Sequence, residues 1–232
     1  MYEERPADQH LAARVACVWR QVSEADTTQL VVPDACVDLI WGPDGLFVAG
    51  PDTGPMPTAM AAGDTYVGIR FRPGAVGDFF GVPLGELRDQ RIPLSVLPGP
   101  AIAHVDGMGP RLDAMRVAVR ERLAGSDTPD PAARAIATAL RMGRTVGEVA
   151  WDLGLSERQL QRRSVTSFGY APKTLQRIVR FQRALRLARA GVPLAEVAVT
   201  AGYTDQAHLS HDVKRLSGVP LRSLVSPVRE FA

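Results

Sequence analysis

The apolar positions of this 232-residue chain change their spacing about midway. Between residues 11 and 75 they come in short runs of β-type composition: Leu30 to Val32, Val37 to Trp41, Leu46 to Ala49 and Tyr66 to Phe71. Pro33-Asp34, Gly42-Pro43-Asp44-Gly45 and the Pro/Gly/Met/Ala-rich stretch from Gly50 to Gly63 separate these runs, so each predicts a strand bounded by turn residues. Two short helices are expected, around Ala75 to Phe80 and Leu84 to Gln90. A longer one runs from about Pro110 to Leu123, with Leu112, Met115, Val119 and Leu123 on one stripe. That stripe suits a narrow seam against the same helix of a second subunit, or burial on the sheet of its own domain. The fold class expected overall is α+β, with a small β-rich sandwich or barrel-like domain followed by an all-α domain.

Beyond residue 130 the spacing is helical and the pattern repeats. At an offset of 48, Val146-Gly-Glu-Val-Ala-Trp-Asp-Leu-Gly-Leu-Ser156 lies over Leu194-Ala-Glu-Val-Ala-Val-Thr-Ala-Gly-Tyr-Thr204, with Glu148/Glu196, Val149/Val197, Ala150/Ala198 and Gly154/Gly202 identical. After one inserted residue, Leu160 aligns with Leu209 and Gly169 with Gly218. Each unit reads as helix, tight turn, helix. Thr145 with Glu148 makes a capping box, Val146, Val149, Ala150 and Leu153 follow at helical spacing, Gly154 supplies the positive φ that ends the helix, and Ser156 caps the next. Alanine at 150 and 198 belongs where two helices cross closely. Turn chemistry, small residues and periodicity agree in both copies, which predicts two helix-turn-helix units.

Charge sharpens the division. Residues 1–130 hold 11 Lys+Arg against 18 Asp+Glu, a balance of −7, whereas residues 131–232 hold 16 against 7, a balance of +9. A basic half beside an acidic one is the electrostatic outline of a nucleic-acid-binding domain joined to a domain with another task. The composition, 46% hydrophobic and 22% charged, is that of a globular chain. No apolar run approaches the roughly 18 residues needed to cross a bilayer, and the acidic opening MYEERPADQH is unlike a secretory signal, so a cytoplasmic protein with no membrane partner is expected. Cys17 and Cys36 are too few for a disulfide framework and lack zinc-site spacing.

Two such units about 48 residues apart, LGLSERQLQRR followed by Gly169 and Pro172, then AGYTDQAHLSHDVKRLSG, resemble the AraC/XylS class of bacterial transcription regulators over about residues 130–226. The resemblance implies a long helix from about Lys173 to Ala190 that holds both second helices on one side of DNA. At 1.5 Å per residue this connector spans roughly 27 Å, compatible with recognition helices about one duplex turn, ~34 Å, apart. Where the family has an aromatic residue after the Arg of the first recognition helix, this chain has Ser164, with Val213 in the second copy, so either the core behind that helix is looser or Phe168 fills the space. The family's Gly-x-Ser/Thr-Pro stands here as Gly218-Val-Pro-Leu221. In the acidic half DACVDLIW, VAGPDT and GIRFRPG resemble a less characterised N-terminal type found in some of these regulators. The implied organisation is a sensing and dimerising domain over 1–124, a linker over 125–131 and a DNA-binding domain over 132–232. The implied partners are double-stranded promoter DNA, a small-molecule effector or a protein contact, RNA polymerase for an activator, and a second copy in a homodimer.

On the first recognition helix Arg158, Gln161 and Arg162 share a face, and Arg pairs bidentately with guanine as Gln does with adenine. On the second, Gln206, His208, Ser210 and His211 occupy the positions that contact bases in the family. Lys173, Arg177, Lys214 and Arg215 are expected at phosphates. Arg177, Arg180, Arg183, Arg186 and Arg189 recur every third residue, a step that slips about 60° each time, so at most two or three of them face one duplex. His208 and His211 lack a third ligand nearby, and Asp212 points elsewhere on the helix; neither metal nor cofactor is expected. For an effector, Trp41 is expected as an aromatic floor and Arg70, a charge in an apolar strand, as the group that meets an acidic molecule. No GxSxG, HExxH or phosphate-cradling glycine loop is present, and Cys36 near Asp38 reads as a small buried residue at a strand start, so no catalytic residue is expected. The alternative is an enzyme tethered to DNA, such as a repair alkyltransferase, but no cysteine stands in the Pro-Cys-His-Arg setting that activity needs.

Overall fold

The computed structural model describes residues 1–125 and 129–225. Its N-terminal half is built of strands: β1 (Tyr2–Pro6), β2 (Val15–Val22), β3 (Thr27–Val31), β4 (Val37–Gly42), β5 (Gly45–Ala49), β6 (Met56–Met60), β7 (Thr65–Phe71) and β8 (Arg91–Pro93). Six of them form an antiparallel sheet in the order β1-β2-β7-β4-β5-β8, and β3 pairs with β6 in a separate two-stranded sheet. The strand period of two then sorts residues between the faces. Val37, Leu39 and Trp41 of β4, Val67, Ile69 and Phe71 of β7, and Val48 of β5 point into an apolar core with Phe79, Phe80, Leu84 and Leu87. The opposite face carries Trp19, Gln21, Asp38, Ile40, Phe47, Tyr66 and Arg70 towards the β3–β6 pair. Gln21 ties the two sheets together, its Nε2 donating to Gln29 Oε1 at 2.7 Å.

Helix α1 (Met108–Ala124) closes the apolar side. Met115 and Val119 are fully buried in the same core, with Leu112 and Leu123 partly buried beside them. The stripe is therefore packed, through Met115 and Val119, within its own domain on the sheet. The two short helices expected at 75–80 and 84–90 are replaced by turns and by one 3-10 turn, Leu84–Glu86. Gly74, Gly77 and Gly81 all have positive φ and turn the chain before a helix can propagate, while Phe71, Phe79 and Phe80 hold the segment by ring contacts of 4.8 to 5.7 Å. The strands β1, β2, β6 and β8 were not among the expected runs. β1 is a charged edge strand, and β6 contains Pro57, tolerated because only β3 pairs with it.

The C-terminal half is helical: α2 (Pro131–Arg141), α3 (Val146–Asp152), α4 (Glu157–Phe168), α5 (Pro172–Arg189), α6 (Leu194–Ala201), α7 (Gln206–Ser217) and α8 (Leu221–Val225). Within the expected linker, residues 126–128 lie outside the described residues; at its end Asp130 caps α2 by accepting from the Ala132 N–H at 3.0 Å. One apolar core runs through all seven helices. It also takes in Ala35, with Val32 packed against it, so the strand domain contributes to the helical core. At this junction Gln182 Nε2 donates to the Pro33 carbonyl at 2.6 Å. Gly169 sits so close to the strand domain that a Cβ there would lie 2.9 Å from the Leu84 carbonyl oxygen and from Pro51 Cγ.

Burial of the α1 stripe sets a test. Met115→Glu would place a carboxylate in the domain's own core, with a cost of about 3 to 5 kcal/mol. The expected outcome in thermal and denaturant melts is a largely unfolded or strongly destabilised chain. A folded variant of unchanged stability would contradict the packing.

Candidate nucleic-acid interface

Each recognition helix is aimed by its caps. α3 starts at the capping box in which the Thr145 N–H donates to Glu148 Oε2 at 2.7 Å and the Glu148 N–H to Thr145 Oγ1 at 3.2 Å. α4 repeats the device with Ser156 and Gln159, which spends the Gln159 side chain on the cap. Gly154 turns between them at φ 62° and Gly202 does so between α6 and α7 at φ 90°. The second unit is capped differently: α6 follows Pro193 with no side-chain cap, and α7 starts at Asp205, whose Oδ1 accepts from the His208 N–H at 2.8 Å.

On α4 the buried line is Leu160, Ser164 and Phe168, while Arg158, Gln161 and Arg162 are all exposed. The Ser164 hydroxyl donates to the Tyr170 carbonyl at 2.8 Å, and Phe168 is buried one turn further along the helix. On α7 the buried line is Leu209, Asp212, Val213 and Leu216, while Gln206, His208, Ser210 and His211 are exposed. The His208 ring stands edge-on to Tyr203, with Nδ1 3.3 Å from Thr204 Oγ1, which fixes its orientation. The Ser210 hydroxyl donates to the Gln206 carbonyl at 2.8 Å, leaving it an acceptor outward. Lys173, Lys214 and Arg215 are exposed.

The Arg177 guanidinium holds Asp212, with Nε at 3.2 Å and Nη2 at 3.1 Å from Oδ1. Arg180 Nη2 binds the other oxygen, Oδ2, at 3.0 Å, and the Arg180 guanidinium lies 4.3 Å from the Tyr203 ring centroid. The Asp212 side chain is 7% exposed, so this cluster is shielded from water and its charge-assisted bonds are strong. It keys α7 to α5. An acid on the buried stripe Leu209, Asp212, Val213, Leu216 was the sequence signal for it, because a carboxylate on an apolar line demands a cationic partner.

A cavity of about 620 Å³ opens between the two sheets, lined by Trp19, Ile40, Phe47, Tyr66 and Arg70 among others. Trp41 does not line it. One residue of offset puts it on the other face of β4, against the His104 ring at 5.8 Å and the Arg111 guanidinium at 5.3 Å. The aromatic wall is Trp19 instead, whose Nε1 donates to Asp38 Oδ1 at 2.8 Å. Arg70 reaches the cavity but is already answered by carboxylates. Its Nε lies 3.1 Å from Asp38 Oδ1, and its Nη1 lies 3.6 Å from Glu4 and 3.8 Å from Asp34. Although burial opposes it, Asp38 and Asp34 hold the Arg70 guanidinium more firmly protonated than usual. Burial pushes the Cys17 thiol up to about 11 and the Cys36 thiol well above its ordinary value, so both are thiols at neutral pH.

Residues 149–225 match the model of a helix-turn-helix domain, and residues 3–93 match a domain of unknown function, DUF6597. No curated protein matches. Among solved structures the chain is similar to the C-terminal domain of AraT, a response regulator from Geobacillus stearothermophilus, at 22% identity over 44% of this chain and 92% of that one, TM-score 0.40. It is similar to a probable AraC family transcriptional regulator from Rhodopseudomonas palustris at 20% identity, over 41% and 95% of the two chains, TM-score 0.36. ToxT from Vibrio cholerae, with an unsaturated fatty acid bound, is similar at 9% identity over 95% and 96%, TM-score 0.49. At these values the likeness is one of outline. Residues 149–225 are a helix-turn-helix domain, behind a strand-rich N-terminal domain. Among the described residues no helix is long and apolar enough to cross a membrane.

Asp212→Ala isolates the clamp. It leaves two partly buried guanidinium groups without their carboxylate and is expected to cost about 2 to 3 kcal/mol of stability in a denaturant melt. A stability unchanged from wild type would show that the cluster does not hold α7.

Proposed function

We propose that this protein is a transcription regulator that binds promoter duplex DNA through both helix-turn-helix units, with residues 132–232 as the DNA-binding domain and residues 1–124 as the sensing domain. What carries the reading is that two recognition helices, each with an exposed face of hydrogen-bonding side chains, are keyed to the one connector α5 in a half of the chain with a charge balance of +9. Arg158, Gln161 and Arg162 read base edges in one major-groove segment, and Gln206, His208, Ser210 and His211 in the next. Lys173, Lys214 and Arg215 hold phosphates and set the register. Arg177 contributes through Asp212, by fixing the tilt of α7.

The cavity between the two sheets is the effector site in this proposal. Its size, about 620 Å³, suits a small organic molecule. Because Arg70 already faces Asp38, Asp34 and Glu4, the cavity favours a neutral or amine-bearing effector over an acid.

Two measurements test the DNA reading on the full chain, with a duplex selected from a random pool. Log K should fall against log salt with a slope of about −0.9 per phosphate contacted, and a flat response would overturn the reading. Arg162→Ala should cost about 1 to 3 kcal/mol on the selected site and relax the choice of base at one position, whereas Lys173→Ala should weaken all sequences alike. If Arg162→Ala leaves sequence preference untouched, the α4 face is not the reading face.

A further inference from the structure

A second cleft, of about 1140 Å³, lies between the two domains and is lined by arginines from both. Arg120 stands on the strand-domain side, beside Arg14 and Arg72, whose guanidinium groups also donate to the Ala75, Val76 and Ala12 carbonyls; Arg134, Arg141 and Arg186 stand on the helical side. Two carboxylates also line it, and both are engaged elsewhere: Asp34 lies 3.8 Å from Arg70, and Asp130 lies 2.5 Å from Arg163. Arg120, Arg134, Arg141 and Arg186 are exposed and have no carboxylate within ion-pair distance among the described residues. The strand-domain wall is the unexpected one, because residues 1–130 carry a balance of −7 and yet present arginines to this cleft.

Like charges on two facing walls repel, and a cleft with low-dielectric walls concentrates their field. An anion between them removes that repulsion and is gripped from both sides. Guanidinium groups suit the task because their planar donors match carboxylate and phosphate oxygens in pairs. The anion is not the duplex backbone gripped by the recognition helices. Arg186 follows Arg177 by nine residues, about 180° around α5, so this wall points away from the side on which Asp212 holds α7.

We propose that the interdomain cleft binds a small polyanion, a phosphorylated or polycarboxylated metabolite, whose anionic groups bridge the arginines of the strand domain to those of α2 and α5. An occupant makes separation of the two domains more costly and so stabilises the whole chain. The site adjoins the cavity between the sheets, with which it shares Asp34, Cys36 and Gln182, and is tested without DNA.

The full chain is titrated at constant ionic strength with pyrophosphate and with citrate, with acetate as a monoanion control, by calorimetry and by thermal melts. One probe should bind saturably at one per chain, below about 1 mM, and raise the melting temperature, acetate doing neither. The stronger probe distinguishes the phosphate source from the carboxylate source. Arg134→Ala with Arg186→Ala on one wall, and Arg120→Ala alone on the other, should each weaken binding about tenfold or more. These side chains are exposed, and alanine favours the helix, so the variants keep the fold. Failure of both probes to bind, or equal binding by the wall variants, would overturn the proposal. So would loss of binding in Arg162→Ala or Lys173→Ala, which would place the anion on the DNA face.

Discussion

The distance and the rotation between α4 and α7 are both imposed by one buried helix, α5. Its Leu175, Ile178, Phe181 and Leu185 are buried in the core that both helix-turn-helix units share, so neither unit moves without disturbing the other. Apolar burial holds helices together without direction. Direction comes from Asp212, bound by Arg177 and Arg180, and from the Arg180 guanidinium over Tyr203, which together orient α7 on the connector. The recognition faces stay exposed because the opposite faces are committed in this way.

The arginines of α5 show how one residue type divides its work. Arg177 and Arg180 turn inward to the buried carboxylate, while Arg186 lines the interdomain cleft and Arg189 the cavity between the sheets. Spacing alone implied that five arginines at every third residue cannot share one face. Which one faces what depends on Asp212, Gln182 and the strand domain, which come from distant parts of the chain.

The strand domain is likewise organised by its two faces. The apolar face is closed by α1, and the mixed face looks across a cavity to β3 and β6. The same domain is docked on the helices through Ala35, Gln182 and the close approach at Gly169, so the first recognition helix ends against the domain that carries the cavity.

Local chemistry was legible in the sequence. The capping box at Thr145, the left-handed turns at Gly154 and Gly202, the buried alanines 150 and 198, the limits of α1 and α5 and four of the strands all follow from interactions within a few residues, and two copies of one pattern reinforced the helix-turn-helix reading. What distant residues decide was not legible. Trp41 and Trp19 are both aromatic residues in β-type runs, and only strand pairing puts one in the core and the other in the cavity. Arg70 meets an acid only once β4 and β7 pair. The α1 stripe fits a subunit seam or a sheet equally well, and the sheet takes it because burial is non-directional and the nearer apolar surface lies within the same domain. Cap and period are set by neighbours in sequence, whereas facing and pairing are set by neighbours in space, which exist only after the chain has folded.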